Sequence, residues 1–249
     1  LGVERVEELC NLDIPAILIK KVQDKTFISG LAETSLNTIK RRASIFSQTK
    51  KPVIYHPIPF PAVSKELFFD LEGDPTQGFI YLHGIYVRSD HDEQYISFVA
   101  KDYTPKAEKE AWKKCISFIQ SLPEDDFCLY YYSHYEPTTY KLLQKQYTDV
   151  LSEKDIETLF DSKHAIDLYK VIRSNTDWPL YSYSLKEIAH FLNFNWRDKT
   201  PSGALSIQWF NEYLKDKDPD KLQRIIEYNE DDCKATMVVK DYLSSHNHV

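Results

Sequence analysis

One eight-residue stretch, Leu67–Asp74, constrains the fold more than any other part of the chain. It reads Leu-Phe-Phe-Asp-Leu-Glu-Gly-Asp, which is typical of a short buried strand that ends in acids. Side chains alternate along a strand, so Asp70 and Glu72 share one face while Phe69 and Leu71 occupy the other. Two carboxylates this close repel each other, and burying either without compensation is costly. A divalent cation would relieve both problems, because Mg²⁺ and Mn²⁺ prefer oxygen ligands. The alternative is a strand that runs out into solvent with acids at its tip.

Composition excludes several other classes. A chain of 249 residues, 42% hydrophobic and 28% charged, is typical of a globular protein. No apolar run approaches the ~18 residues that span a bilayer, and no signal peptide leads the chain, so we expect no membrane association. Because the first residue is Leu1 and not Met, we expect a piece of a longer protein. The cysteines form no C-x-x-C pair, which argues against zinc and against disulfides and favours a reducing, cytoplasmic setting. They are Cys10, Cys115, Cys128 and Cys233.

Charge is distributed unevenly. The net charge of −7 argues at first against a polyanionic partner. Residues 1–51, however, carry nine Lys and Arg against six Asp and Glu, and the remainder carries 22 against 32. Acids that hold metal ions are compatible with nucleic-acid binding through those metals and local basic residues. Overall charge therefore leaves the partner open.

Three segments follow from the residue pattern. Residues 1–50 are predicted to be helical, and their opening, residues 1–9, resembles half of a helix-hairpin-helix; simple helix packing is the alternative. The basic run Lys40–Arg42 is interpreted as a solvated helix face. Residues 51–65 are rich in proline and are predicted to form a linker or an extended segment. Residues 66–249 are predicted to form the main domain.

The main domain has an α/β or α+β order of elements. The first three strands are separated by short turns, which predicts an antiparallel meander. The Thr104-Pro105 pair then predicts the start of a helix, with threonine as the N-cap. Later strand and helix patterns alternate, and Ser184 is predicted to cap a helix. This order predicts a mixed sheet flanked by helices. The predicted strands are 67–71, 79–87, 95–99 and 127–132, and the later helices are about 136–146, 205–214 and 218–243.

The last predicted helix carries a second acidic group. On a wheel with ~100° per residue, the buried face contains Ile225, Asn229 and Cys233. Asp232 falls at the edge of this face, Tyr228 lies one turn before it on the same flank, and Asp231 is predicted to point to solvent. An ordinary boundary aspartate paired with a lysine is the alternative interpretation of Asp232.

Taken together, four motifs resemble the DEDD (DnaQ-like) exonucleases of the RNase H-like superfamily, in the tyrosine subtype. They are still more similar to the RecB-family nuclease domains that occur fused to helicase modules in bacteria. The motifs are Phe68–Asp74, Tyr135–Pro137, Tyr183–Lys186 and Tyr228–Thr236. The resemblance covers about residues 65–245 and implies an RNase H-like fold, with an antiparallel meander plus parallel strands.

Position by position, the resemblance implies an acidic site. Asp70 and Glu72 match the first motif, Asp232 the third, and Glu136 stands where the exonucleases have an aspartate. Glutamate is one methylene longer than aspartate and can still reach a metal. This difference from the exonuclease motif leaves open whether the site has full activity. Asp167 is a candidate further ligand, since related domains place an Asp-Leu near this point; a helix N-cap is the alternative.

An acidic cluster without a Ser–His or Cys–His pair suits two-metal hydrolysis. The resemblance implies that Asp70 bridges two Mg²⁺ or Mn²⁺ ions, with Glu72, Glu136 and Asp232 completing their coordination. Tyr228 would orient the attacking water, because an unperturbed phenol stays protonated near neutral pH. Lys186 is a candidate phosphate contact, with an exposed lysine as the alternative. The candidate base-stacking aromatics are Tyr131, Tyr132, Tyr135 and Trp196; because 14% of the chain is aromatic, a place in the hydrophobic core is the alternative for most of them.

The implied activity is a metal-dependent 3′–5′ exonuclease acting on single-stranded DNA in preference to RNA. A linked helicase or ATPase domain and a role in DNA repair are implied in the full-length protein. The rival hypothesis is a nucleic-acid-binding or docking domain that has lost a competent second motif. An endonuclease of the same fold is a third alternative.

Overall fold

The computed structural model describes residues 2–90, 92–123 and 126–246. Within them, the chain divides into two compact units. The smaller unit joins residues 2–57 to Ile172–Tyr183, and the larger joins Ile58–Val171 to residues 184–246. The outer limits of the predicted segments 1–50 and 66–249 lie outside the described residues. No helix in the described part of the chain is long and apolar enough to cross a membrane.

The smaller unit is mostly helical, as the sequence predicts for residues 1–50. Its helices are α1 (Val6–Leu9), α2 (Ile14–Gln23) and α3 (Glu33–Ser44), and α3 continues into a π-helical turn, Ile45–Thr49. The Asp13 side chain accepts a hydrogen bond from the Ala16 amide and caps α2. Strand β1 (Val53–Ile54), which lies in the proline-rich stretch, pairs antiparallel with β7 (Thr176–Asp177). The sequence predicts neither strand.

A buried carboxylate holds this unit together. The Asp177 side chain is 1% exposed and receives the Nε groups of Arg41 and Arg42, both at 2.6 Å. The Tyr55 hydroxyl donates to it at 2.9 Å. Burial by itself would raise the pKa of Asp177, but these hydrogen bonds hold it below its ordinary value. The sequence pattern interprets Lys40–Arg42 as a solvated face. Arg41 is indeed exposed, but Arg42 is only partly exposed, and both arginines pair with buried Asp177, which the sequence does not predict.

The larger unit contains the mixed sheet that the sequence predicts. Its strands are β2 (Lys65–Asp74), β3 (Phe79–Ser89), β4 (Glu93–Val99), β5 (Phe127–Tyr131) and β6 (Ala165–Asp167). Strands β2, β3 and β4 form the antiparallel meander. Strand β5 pairs parallel with β2, and β6 pairs parallel with β5, so the order is β4-β3-β2-β5-β6. The fold is therefore α/β.

Helices flank this sheet. Thr104 caps α4 by accepting from the Ala107 amide, as predicted, and Ser184 caps α8 by accepting from the Glu187 amide. Helix α6 is not anticipated from the sequence. The helices are α4 (Pro105–Gln120), α5 (Tyr135–Gln146), α6 (Glu153–Leu159), α7 (Leu168–Asn175), α8 (Leu185–Phe191), α9 (Gly203–Asp216) and α10 (Pro219–Ser245).

Alternation along β2 divides its side chains between two environments. Leu67, Phe69 and Leu71 are buried in a core that includes Trp112 of α4 and Tyr140 of α5. The intervening residues point to the opposite face, where α10 contacts β2 and β3. Since Asp70 and Glu72 lie on that second face, the strand presents both acids toward α10.

Candidate metal centre

Three carboxylates converge at the end of β2. Asp70 and Glu72 come from the strand and Asp232 comes from α10, and each offers an oxygen such that all three atoms lie within 4.8 Å of one another. Glu72 and Asp232 are buried, and Asp70 is half-buried. The structure thus brings together acids that are about 160 residues apart in the chain.

Topology places a fourth acid beside them. Strand β5 runs parallel to β2, so both strands end at the same edge of the sheet, and α5 begins there. Glu136, in the first turn of α5, is 3% exposed, and its Oε2 has no hydrogen-bond partner among the described residues. Burial raises the pKa of Glu136, with smaller contributions from the charges of Asp167 and Asp232. The Glu136 charge adds to the burial that raises the pKa of Asp70. Glu136 lies in the electrostatic field of the centre but outside the close set of three.

The electrostatics of the centre are those of unbalanced negative charge. Burial is the largest cause that raises the pKa of Asp70, Glu72 and Asp232 above their ordinary values. The Asp232 carboxylate adds a further rise at Asp70 and at Glu72. Divalent cations fit this arrangement, because the donors are all carboxylate oxygens and one buried oxygen of Glu136 finds no partner in the described part of the chain.

The position of Asp232 is fixed by an indole. Trp196 Nε1 donates to Asp232 Oδ1 at 2.8 Å, and the tryptophan is 6% exposed. The prediction that Trp196 stacks on bases is therefore wrong. A tryptophan in a polar loop gives no sequence signal for this contact, since its partner lies 36 residues away.

The loop that carries Trp196 is tied to α10 by an ion pair between the exposed Arg197 and the buried Asp231. Arg197 donates to Asp231 from its backbone amide at 2.8 Å and from Nε at 2.9 Å. Asp231 is only 4% exposed, so the prediction that it points to solvent is wrong. The helical wheel gives its direction but not the loop that covers it. Asp231 and Asp232 thus anchor neighbouring residues of one loop.

Tyr228 and Lys186 form a pair beside the acids. Lys186 Nζ donates to the Tyr228 hydroxyl at 3.1 Å and to the Pro201 carbonyl at 2.7 Å. Burial raises the pKa of Asp232 and of Glu72, and the Lys186 charge offsets part of that rise. Burial, followed by the Asp232 charge, raises the pKa of Tyr228, so the phenol remains protonated at neutral pH and acts as a hydrogen-bond donor.

The remaining predicted residues lie around this centre. Tyr135 is 42% exposed, and its hydroxyl would lie 3.4 Å from a Cβ at Gly73, at the end of β2. Asp167 Oδ1 accepts from the backbone amides of Ser133 and Lys170, both at 3.1 Å. This geometry is that of a helix N-cap, which is the alternative interpretation of Asp167. The Asp167 charge also adds to the burial that raises the pKa of Glu136.

Sequence reasoning did not assign a role to Asn229. Its Nδ2 donates to Asp70 Oδ2 at 2.6 Å, and it is fully buried. A signal was available, because an asparagine in the middle of the apolar face of α10 must find buried partners.

A mixed sheet with flanking helices, in which the first long strand and the last helix supply converging carboxylates, defines an α/β protein of the RNase H-like class. A family model described as RNase_H superfamily matches residues 67–244, and the chain belongs to this superfamily. Membership indicates nuclease-type activity, divalent-metal binding and nucleic acid as the partner. No curated protein and no solved structure gave a significant match.

Proposed function

We propose that this protein is a divalent-metal-dependent nuclease that degrades single-stranded DNA from its 3′ end. The observation that carries the proposal is the convergence of Asp70, Glu72 and Asp232. Their carboxylate oxygens lie within 4.8 Å of one another in a largely buried place where burial and neighbouring negative charges raise the pKa of Asp70. A purely structural site would pair such acids with Lys or Arg, as Asp231 and Asp177 are paired in this chain.

The carboxylates would hold the ions. Asp70, Glu72 and Asp232 form the close set, and Glu136 would supply a further oxygen from α5. Asp167, whose charge adds to the burial that raises the pKa of Glu136, is a further candidate ligand. Two bound Mg²⁺ or Mn²⁺ ions would supply an activated water and charge stabilisation for in-line displacement at phosphorus. Asp70, whose pKa is raised by burial and by the charges of Asp232, Glu72 and Glu136, is proposed as the shared ligand.

Tyr228 and Lys186 would act on the reacting groups through hydrogen bonds and charge. The neutral Tyr228 hydroxyl can orient the attacking water. It does not serve as the general base at neutral pH, because its raised pKa keeps it protonated. Lys186 fixes this hydroxyl and places a positive charge beside Glu72 and Asp232. The same ammonium group is proposed to contact the substrate phosphate.

The substrate preference rests on Tyr135. A large, partly exposed aromatic side chain at the edge of an acidic centre offers a stacking surface for an unpaired base. Single-stranded DNA is therefore the proposed substrate, with RNA as the comparison. The similarity to helicase-linked nuclease domains supports a linked helicase or ATPase in the full-length protein, a role in DNA repair and a cytoplasmic location.

The test uses a 5′-labelled single-stranded DNA oligonucleotide and its RNA counterpart, each with Mg²⁺, Mn²⁺ or EDTA. We expect a metal-dependent ladder of products shortened from the 3′ end, and a loss of at least ~100-fold for Asp70→Asn and Asp232→Asn. Asp92→Asn, on the exposed β3–β4 turn, is the matched control and should retain parent activity. A 3′-blocked strand and a circular strand test polarity. Cleavage of the circle would establish an endonuclease, and absence of metal-dependent cleavage on every substrate would refute the nuclease proposal.

A second candidate function follows from Glu136. Because a glutamate occupies the position of the second-motif aspartate, the domain could bind nucleic acid and metal without efficient turnover. Glu136→Asp restores the shorter side chain, so a marked gain in activity would identify a weakened enzyme. Calorimetric titration with Mn²⁺ separates the two candidates further, since a catalytic centre should bind one or two ions and Glu136→Gln should weaken that binding.

A further inference from the structure

Asn229 and Tyr95 form a hydrogen-bonded relay to Asp70. The Tyr95 hydroxyl, from the edge strand β4, donates to Asn229 Oδ1 at 2.7 Å, and Asn229 Nδ2 donates to Asp70 Oδ2 at 2.6 Å. The relay joins the outermost strand of the sheet to the acid proposed as the shared metal ligand. Neither Tyr95 nor Asn229 belongs to the acidic set.

The chemistry allows one orientation of this relay. When Asp70 holds a cation it is ionised, and an ionised carboxylate only accepts hydrogen bonds, so the amide nitrogen of Asn229 then faces Asp70. The amide oxygen then faces Tyr95, whose burial raises its pKa and keeps the hydroxyl as a donor. The Tyr95 hydroxyl therefore determines which end of the amide reaches the carboxylate.

The sheet is built to admit the relay. Gly84 of β3 pairs with Asp70 of β2 on one side and with Ser97 of β4 on the other. A Cβ at Gly84 would lie 1.6 Å from Asn229 Oδ1 and 2.7 Å from the Tyr95 hydroxyl. Glycine in the interior of a strand weakens it, and it commonly marks a close approach. Here the absent side chain lets an amide from α10 lie against the strand beside Asp70.

We propose that Asn229 and Tyr95 are positioning residues for Asp70. The amide holds Oδ2 of Asp70, so that the other oxygen stays directed at Glu72 and Asp232, and Tyr95 holds the amide in the orientation that does this. Hydrogen-bond partners behind metal ligands commonly control affinity and activity. The inference rests on the proposed metal-dependent function.

The test compares two removals of a single tyrosine hydroxyl. Tyr95→Phe removes the donor to Asn229. Tyr86→Phe is the matched control, because Tyr86 is the cross-strand partner of Tyr95 and its hydroxyl donates instead to Glu93 at 2.7 Å. Each protein is examined for Mn²⁺ affinity by calorimetry, for kcat and KM on the oligonucleotide, and for its melting temperature.

We expect Tyr95→Phe to weaken Mn²⁺ binding and lower kcat by about 3- to 10-fold, with KM for the oligonucleotide unchanged and Tyr86→Phe equal to the parent. Asn229→Leu, whose side chain is similar in size but has no donor, should lower Mn²⁺ affinity and kcat by about 10- to 100-fold. In the Asn229→Leu background, Tyr95→Phe should have no further effect, because its influence passes through the amide.

The outcomes separate this inference from the proposed function. If the parent cleaves DNA but Tyr95→Phe matches Tyr86→Phe in metal affinity and kcat, or changes only the melting temperature, the relay is overturned while the nuclease stands. If the parent binds Mn²⁺ without cleaving any substrate and Tyr95→Phe weakens that binding, the relay is supported while the nuclease proposal fails. A parent that binds no Mn²⁺ overturns both.

Discussion

Asp70→Asn should stabilise this protein in the absence of metal and destroy its response to metal. The substitution removes one negative charge from a cluster of three and changes the size of the side chain very little. The amide oxygen of the variant can still accept the hydrogen bond from Asn229 Nδ2, which the parent makes at 2.6 Å. The variant therefore changes charge without opening a cavity.

The magnitude follows from the geometry. Two unit charges whose oxygens lie no more than 4.8 Å apart repel by at least about 3.5 kcal/mol at an effective dielectric constant of ~20. The raised pKa values of Asp70 and Glu72 mean that proton uptake relieves part of this repulsion. We therefore expect a net gain of about 1–2 kcal/mol in EDTA, or about 2–8 °C in melting temperature for a chain of this size. Mn²⁺ at 100 times its dissociation constant should stabilise the parent by about 2.7 kcal/mol.

The order of stability should reverse when metal is added. Melting temperatures are measured for the parent, Asp70→Asn and the control Asp92→Asn, in EDTA and in Mn²⁺ at pH 7.5. In EDTA the site variant should melt above the parent, and in Mn²⁺ below it, while the control follows the parent in both. If the site variant melts below the parent in EDTA, the three acids are already stabilised by other interactions in the protein, and their repulsion is not what a cation relieves. An undiminished Mn²⁺ shift would show that the metal binds elsewhere.

Three further substitutions probe separate contacts. Trp196→Phe keeps an aromatic ring in the loop but removes the hydrogen bond to Asp232; kcat should fall about 3- to 10-fold while urea denaturation shows little change. Glu136→Gln removes another buried charge near Asp70, so it should raise the melting temperature in EDTA, as Asp70→Asn does, and weaken Mn²⁺ binding by about 10-fold or more in calorimetry; unchanged affinity would remove Glu136 from the site. Asp177→Asn should cost about 2 kcal/mol at pH 7, measured by urea unfolding. Because the folded pKa of Asp177 is lowered, its stabilisation is present above its unfolded pKa of ~3.9 and is lost as pH falls further, so the deficit should shrink below about pH 4.

The parts of the fold set by local patterns are predictable from the sequence. Alternation along Leu67–Asp74 gives the strand and the shared face of Asp70 and Glu72, and the wheel of the last helix gives the inward direction of Asp232. The Thr104-Pro105 pair gives the start of α4. Each of these depends on residues a few positions apart, for which strand and helix periods are reliable guides.

The parts that failed depend on distant pieces of chain. The sequence interprets Arg42 as part of a solvated face, but its guanidinium donates to buried Asp177, which lies 135 residues later in the chain. Asp231 is assigned to solvent, but Arg197 covers it. The indole of Trp196 donates to Asp232, which lies 36 residues away. In each case the deciding partner is distant in the chain, where a local pattern cannot show it.

Helix α10 shows how a short sequence can serve a site in several ways at once. Consecutive helical residues differ in direction by ~100°, so Tyr228, Asn229, Asp231 and Asp232 face four different surroundings. Tyr228 meets Lys186, Asn229 reaches Asp70 across β3, Asp231 binds Arg197, and Asp232 joins the acidic set. A rigid helix fixes these directions relative to one another. A change that rotates α10 by even a fraction of one residue would therefore disturb the proposed metal ligand, its hydrogen-bond support and the loop carrying Trp196 together. The close packing of α10 against β3, where a Cβ at Gly84 would lie 1.6 Å from Asn229 Oδ1, restrains the helix against such a rotation.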